Sequence, residues 1–190
     1  MQDPPGRNDG SCVYLMQFTD GNRIDLGIYP AAKLDDIGRD SLSVLLLDKD
    51  GIIEPFGRAS ENDYLPKPPT AKAFSDCTNE FWWVCPYVAK GLWRAEIIYA
   101  KHMLDVFARE QLMKMLRWHI GVKTRFSRNP GKLGKYFQQY LEPELWNMLR
   151  EHTRMPATTI PGRQYSRCAI SSGGWLFLLQ SNLAVIILMG

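Results

Sequence analysis

Asn79-Glu80-Phe81-Trp82-Trp83-Val84-Cys85-Pro86-Tyr87-Val88-Ala89-Lys90-Gly91-Leu92-Trp93-Arg94-Ala95-Glu96 decides how the chain is read. It holds three of the six Trp, in a dense mixture of aromatic and charged residues. Phe81, Val84, Val88, Leu92 and Ala95 recur at the three-to-four spacing of one helical face. Lys90, Arg94 and Glu96 fall largely outside that stripe. Pro86 lacks a backbone donor and predicts a kink or a new helix start. Gly91 adds a second weak point. Of Trp82, Trp83 and Trp93, at least two are expected in the core.

C-terminal to this block the pattern stays helical. Leu92 to Ile120 predicts the longest helix, with Ile97, Ile98, Leu104, Phe107, Leu112, Met115 and Leu116 as core and Gly121 as its cap. Lys132–Leu141 and Pro143–Thr153 predict two shorter helices, with Pro143 in a first turn. N-terminal to the block, Leu65-Pro66-Lys67-Pro68-Pro69 reads as an extended linker. Before it the period becomes two. Ser11–Phe18 and Arg23–Ile28 flank the turn Thr19-Asp20-Gly21-Asn22 and predict a β-hairpin. Ile24, Leu26 and Ile28 should lie on a covered face, and Arg23, Asp25 and Gly27 on a polar one. Ser43–Leu47 predicts a further buried strand, turned by Asp48-Lys49-Asp50-Gly51.

Four segments follow: a sheet domain over 1–64, a linker over 65–70, a helical domain over 71–154, and an apolar tail over 155–190. The class is α+β. The tail contains no acid and no Lys, and its run from Trp175 to Met189 is shorter than the roughly 20 residues that span a bilayer. A tail anchor, a buried terminal element and a foreign segment are the three readings of it. The change of composition favours the third.

The charge balance narrows function. All 20 acidic residues lie at or before Glu151, and only Arg154, Arg163 and Arg167 follow, so residues 1–151 balance to zero. That excludes a general nucleic-acid binder. The acid-free basic run from Lys114 to Lys135 is broken by the Gly-rich loop 129–134, which suits a surface or phosphate-side loop better than an RNA stripe. Cys12, Cys77, Cys85 and Cys168 form no C-x-x-C pair, so reduced thiols and a cytoplasmic setting are expected. Asp3-Pro4-Pro5-Gly6 stands where a signal peptide would be apolar.

The 79–96 block, with Arg23-Ile24-Asp25-Leu26, resembles the aminoglycoside 6-adenylyltransferases, the streptomycin-modifying branch of the nucleotidyltransferase superfamily. The similarity runs from near Met1 to about Arg154. It implies part of a mixed nucleotidyltransferase sheet followed by a helical domain, and Mg²⁺-dependent transfer of AMP from ATP to a streptomycin hydroxyl. By that resemblance Asp25 is the third carboxylate of the site, a base for the drug hydroxyl or a metal-side ligand. Lys90 and Arg94, one helical turn apart, approach the triphosphate. Glu80, Trp82 and Glu96 meet the cationic drug.

The family's Gly-Ser turn and Asp-x-Asp pair are expected upstream of residue 1. Gly10-Ser11 and Asp48-Lys49-Asp50 imitate them but read as turn chemistry. One carboxylate does not replace three around a hard divalent cation. The rival expectations are therefore a non-catalytic remnant that binds drug or a partner, prone to self-association through an open sheet edge, and a tail-anchored membrane protein.

Overall fold

A computed structural model describes residues 10–36 and 40–153. The chain forms two compact units, Met1–Ser60 and Glu61–Gly190. The class is α+β, as expected from the change of period.

In the first unit, β1 (Cys12–Gln17) and β2 (Arg23–Ile28) pair antiparallel. The turn between them follows from its residues. Asp20 accepts hydrogen bonds from the Asn22 backbone N–H and side-chain amide, at 2.9 and 2.8 Å. Gly21 takes φ +87°, which costs a glycine little. The Phe18 N–H then closes the turn on the Asn22 carbonyl at 2.8 Å. The hairpin was legible; its covered face was not. Every residue of β2 is exposed.

The strand expected over 43–47 is also absent. Asp40 caps a turn there instead, accepting from the Leu42 N–H at 3.0 Å. Asp48 accepts from the N–H groups of Ile53 at 2.8 Å and Gly51 at 2.9 Å, bonds that hold its carboxyl below the usual range. A strand needs a ladder partner, and among the described residues the sheet has two strands.

The second unit is helical. Thr70 caps α1 (Ala71–Trp93) by accepting from the Ala73 N–H at 3.1 Å. Of the kink and the new helix start expected at Pro86, the new start does not occur: α1 runs through it. Pro86 lies on an exposed position, so the carbonyl its ring leaves unbonded is not forced into an apolar interior. Phe74, Cys77, Phe81, Val84 and Val88 of α1 are buried at alternating steps of three and four. They join Leu112, Met115, Leu116 and Ile120 of α3 (Arg109–Lys123) in one apolar cluster. Each such side chain stabilises the fold by about 1.5–3 kcal/mol.

The long helix expected over 92–120 is divided. α1 ends at Trp93, α2 covers Ile97–His102, and a π-helical stretch, Met103–Ala108, leads into α3. Ile97 and Ile98 are exposed rather than core, Ile98 at 88%. Trp83 and Trp93 are exposed as well, Trp93 at 91%, so the aromatic block is not packed as expected.

The reason is a cap without glycine. The Glu96 N–H bonds the Gly91 carbonyl at 2.8 Å, and the Ala95 N–H bonds the Leu92 carbonyl at 3.1 Å. Ala95 closes this cap at φ +58°. Gly91 lets α2 approach, since a Cβ there would meet Tyr99 and Ala100 at 2.9 and 3.0 Å. α3 ends the same way: Phe126 and Arg125 donate to the Gly121 and Val122 carbonyls, and both sit at positive φ. Gly121 is thus not the cap. It is buried inside α3, under the ring of Phe126, which leaves no room for a Cβ.

Beyond a single 3₁₀ turn at Lys132–Gly134 come α4 (Phe137–Tyr140) and α5 (Pro143–Thr153). Pro143 opens α5 as expected. The helix predicted over 132–141 breaks at Leu133, whose φ is +54°. Glu142 ties the start of α5 to α3. Its carboxylate takes a hydrogen bond from Lys123 Nζ at 2.6 Å and lies 3.2 Å from His119 Nε2. Partial burial pushes the Glu142 carboxyl up, but the Lys123 and His119 bonds outweigh it and bring it to about 2.

Two predictions follow from these contacts. Ala95→Gly relieves a left-handed alanine and should stabilise the helical unit by about 1 kcal/mol, read as a rise in thermal midpoint of roughly 4–8 °C. Because the Glu142 pKa is lowered from 4.5, its contribution is complete above about pH 4.5 and is lost as pH falls through about 2. Glu142→Gln should cost no more than about 1 kcal/mol at neutral pH, since the pair is part-exposed, and should flatten the acid limb of a urea-unfolding series.

Candidate functional site

The second unit carries an open groove between α1 and α3, of about 670 Å³. Its walls follow from helical phase. Asp76 and Glu80 stand one turn apart on α1, beside the buried stripe. Glu110, Lys114 and Trp118 do the same on α3, so the two polar edges meet over the seam. Trp118 rests against Phe74, with ring centroids 6.3 Å apart.

The groove is acidic by arrangement. Asp76 pairs with Lys72 at 2.6 Å, and Glu110 pairs with Lys114 at 2.9 Å. The Glu80 carboxylate has no hydrogen bond or ion pair among the described residues. On the floor, the Cys77 thiol donates to the Gln111 carbonyl at 3.4 Å, and burial pushes that thiol up to about 11. Cys77 is therefore a packing group and not a nucleophile. A free carboxylate beside an aromatic face suits a cation, through charge-assisted hydrogen bonds and the ring quadrupole.

The other expected site residues fall elsewhere. Trp82 is exposed and stands edge-on to Phe81, at 5.7 Å. Lys90 lies in the last turn of α1 and Arg94 at its cap, joined through the backbone, with the Arg94 N–H on the Lys90 carbonyl at 3.1 Å. Both are exposed and without an ion pair among the described residues. A helix C-terminus carries partial negative charge, so these cations also complement the dipole. Glu96 follows at the entry to α2. Glu80 and Glu96 lie at different ends of the block, Glu80 within α1 and Glu96 beyond its C-terminal cap.

Asp25 belongs to the first unit. It sits on β2 opposite Leu15. Arg23 grips both of its oxygens, Nε on Oδ1 at 2.6 Å and Nη2 on Oδ2 at 2.9 Å. Among the described residues no three His, Cys, Asp or Glu side chains gather as a metal site.

Sequence reasoning named Glu80 but missed Asp76 and Glu110 as its neighbours. The i, i+4 pairs on two separate helices were visible; their meeting depends on α1 packing against α3. Within the basic run, Arg117 is spent on the Gly131 carbonyl at 3.3 Å, Lys114 on Glu110 and Lys123 on Glu142. Among the described residues no helix is long and apolar enough to cross a membrane, and the 175–189 run lies outside them.

Comparison with known proteins bears on what this arrangement serves. The sequence model of the streptomycin adenylyltransferase family matches residues 1–160. The chain belongs to this family. Aminoglycoside 6-adenylyltransferases are among its relatives. One from Bacillus subtilis (strain 168) is 39% identical over 138 residues, covering 72% of this chain and 49% of the relative. One from Campylobacter jejuni is 40% identical over 157 residues, covering 82% and 54%. The crystal structure of an aminoglycoside 6-adenyltransferase from Bacillus subtilis superposes with a TM-score of 0.53 at 31% identity, over 97% of this chain and 68% of that one. The chain spans about half the length of the curated relatives it matches. The resemblance read from residues 23–26 and 79–96 is thereby upheld, and the family-model match ends at residue 160, close to where the composition changes.

Proposed function

We propose that the chain serves ATP-dependent transfer of AMP to a hydroxyl of streptomycin, conferring resistance, and that it supplies drug- and nucleotide-binding parts of that enzyme. The family match over residues 1–160 carries this reading. The acidic, Trp-walled groove supports it, because streptomycin is polycationic.

In the reaction the drug hydroxyl oxygen attacks the α-phosphorus of ATP. The bond to the β-phosphate oxygen breaks, pyrophosphate leaves, and the hydroxyl proton passes to a base. Asp25 is the residue proposed for that base; Arg23 must release one of its oxygens first. Lys90 and Arg94 are proposed for the triphosphate, and Glu80, Trp82 and Glu96 for the drug. Mg²⁺ is the expected metal, but the described residues do not form its site. Asp25 is one carboxylate and is already held by arginine, whereas a hard cation of this kind takes several oxygens. Use of ATP and reduced thiols suits a cytoplasmic setting.

A second reading is drug binding without transfer. The groove favours it, because it is complete within the helical unit and needs nothing from Asp25. One set of measurements separates the two. Calorimetry should show saturable streptomycin binding that Glu80→Gln weakens about tenfold, a loss typical of one charge-assisted contact. Mass spectrometry should show streptomycin gaining one AMP in the native protein's reaction. Asp25→Asn should cut that turnover by about 10² or more with little change in KM, as expected for a lost base. Binding without any AMP adduct supports the second reading; the absence of saturable binding removes both.

A further inference from the structure

Two of the three carboxylates that wall the groove already hold a cation of the chain itself. Asp76 is paired with Lys72 and Glu110 with Lys114, each at the i, i+4 spacing of its helix. The two lysines are not equivalent. Lys72 is no part of the groove wall, and its side chain is 83% exposed. Lys114 is part of the wall, and its side chain is 45% exposed.

The Lys114 ammonium stands between two acceptors. It lies 2.9 Å from Glu110 Oε1 and donates to Gln111 Oε1 at 3.3 Å. Gln111 is only 9% exposed and belongs to the same wall. Its side-chain Nε2 makes no hydrogen bond among the described residues, so the groove keeps a largely buried donor for which this part of the chain supplies no acceptor. Burial acts most on the Cys77 thiol at the floor; Lys114 then draws that thiol down and Glu110 pushes it up, so both charges reach the floor.

Glu80 walls the groove from α1 and has no such partner. One carboxylate is therefore ready for a cation and another is occupied. A ligand with a single positive charge is served by Glu80 alone. A ligand with two or more reaches Glu110 only by turning Lys114 away. That exchange is easy, because a part-exposed ion pair is held weakly, and a lysine stem swings out to water with its charge intact.

We infer that Lys114 is a resident counter-ion of the groove: in the empty protein its ammonium fills the Glu110 subsite, and a polycationic ligand binds by exchanging one of its own cations for it. Lys114 thereby sets the affinity below that of two free carboxylates. The exchange rests on the groove being the drug-binding site and is independent of AMP transfer.

Calorimetric titration of the 190-residue chain with streptomycin tests this. Lys114→Met keeps the stem and a good helix former but removes the charge. It should tighten streptomycin about threefold or more, the scale of a part-exposed ion pair. Lys114→Gln should do the same if the methionine variant folds poorly. Lys132→Met removes an equal charge outside the groove and should leave binding within about twofold. In a Glu110→Gln chain, Lys114→Met should bring no further gain, because the subsite it uncovers is gone; a merely structural lysine would not show this coupling. Binding that Glu80→Gln weakens but neither Lys114 variant tightens overturns the exchange and leaves the groove reading standing. Equal gains from Lys114→Met and Lys132→Met, or a gain that persists without Glu110, overturn it as well, since net charge alone would then act. Absence of saturable streptomycin binding in the native chain and in both Lys114 variants removes the groove reading, and the exchange with it.

Discussion

The seam between α1 and α3 is the contact on which the helical unit depends. Phe81, Val84 and Val88 enter it from one side, and Leu112, Met115 and Leu116 from the other. Burying these side chains fixes the rotation of α1 about its axis. Once that is fixed, Asp76 and Glu80 must flank the seam, and Glu110, Lys114 and Trp118 must flank it from α3. The groove is a by-product of the core. Its carboxylates hold their places because apolar neighbours one step away cannot turn outward without losing several kcal/mol together.

The hairpin answers to a different balance. It has good turn chemistry and a regular ladder, but its apolar side chains stay half in water. Backbone pairing alone offsets little of the entropy of ordering twelve residues. The two halves of the proposed chemistry therefore stand on unequal foundations. Glu80 is held by a packed helix, whereas Asp25 is held by a short ribbon and one exposed arginine. Drug binding and AMP transfer need not respond alike to heat, denaturant or mutation.

Legibility in the sequence followed the range of the forces involved. Local signals were read well: the Asp20-Gly21-Asn22 turn, the apolar stripe of α1 and Pro143 at the head of α5. Errors came where a residue's usual meaning was overruled by a distant partner. Gly121 looked like a cap, but it is small because Phe126 lies across it. Ala95 carried no cap signal, yet it closes α1 at positive φ because α2 must turn back over Gly91. Residues 43–47 had strand composition and no ladder partner. At the groove, Glu80 came from the resemblance, while its acidic neighbours required the packing of two helices that sequence spacing alone does not join. The role proposed for Asp25 came from a family pattern, with only its place on the polar face of the strand beside it.

The Arg23 clamp on Asp25 gives that pattern a physical consequence. A carboxylate engaged on both oxygens is not a base as it stands. It is, however, held in one orientation by the two bonds, and the pair lies at the surface, where such contacts are worth no more than about 1 kcal/mol. A cationic drug or a metal-bound nucleotide approaching the same face would compete with arginine at small expense. The same competition would be unfavourable in a buried site, where displacing one partner strands a charge. An exposed, weakly held Asp25 is therefore compatible with chemistry that assembles on binding, provided the ribbon carrying it is itself held. That condition links the polar face of β2 to its apolar one: Ile24, Leu26 and Ile28 are exposed, so they add little to the strand from which Asp25 would act.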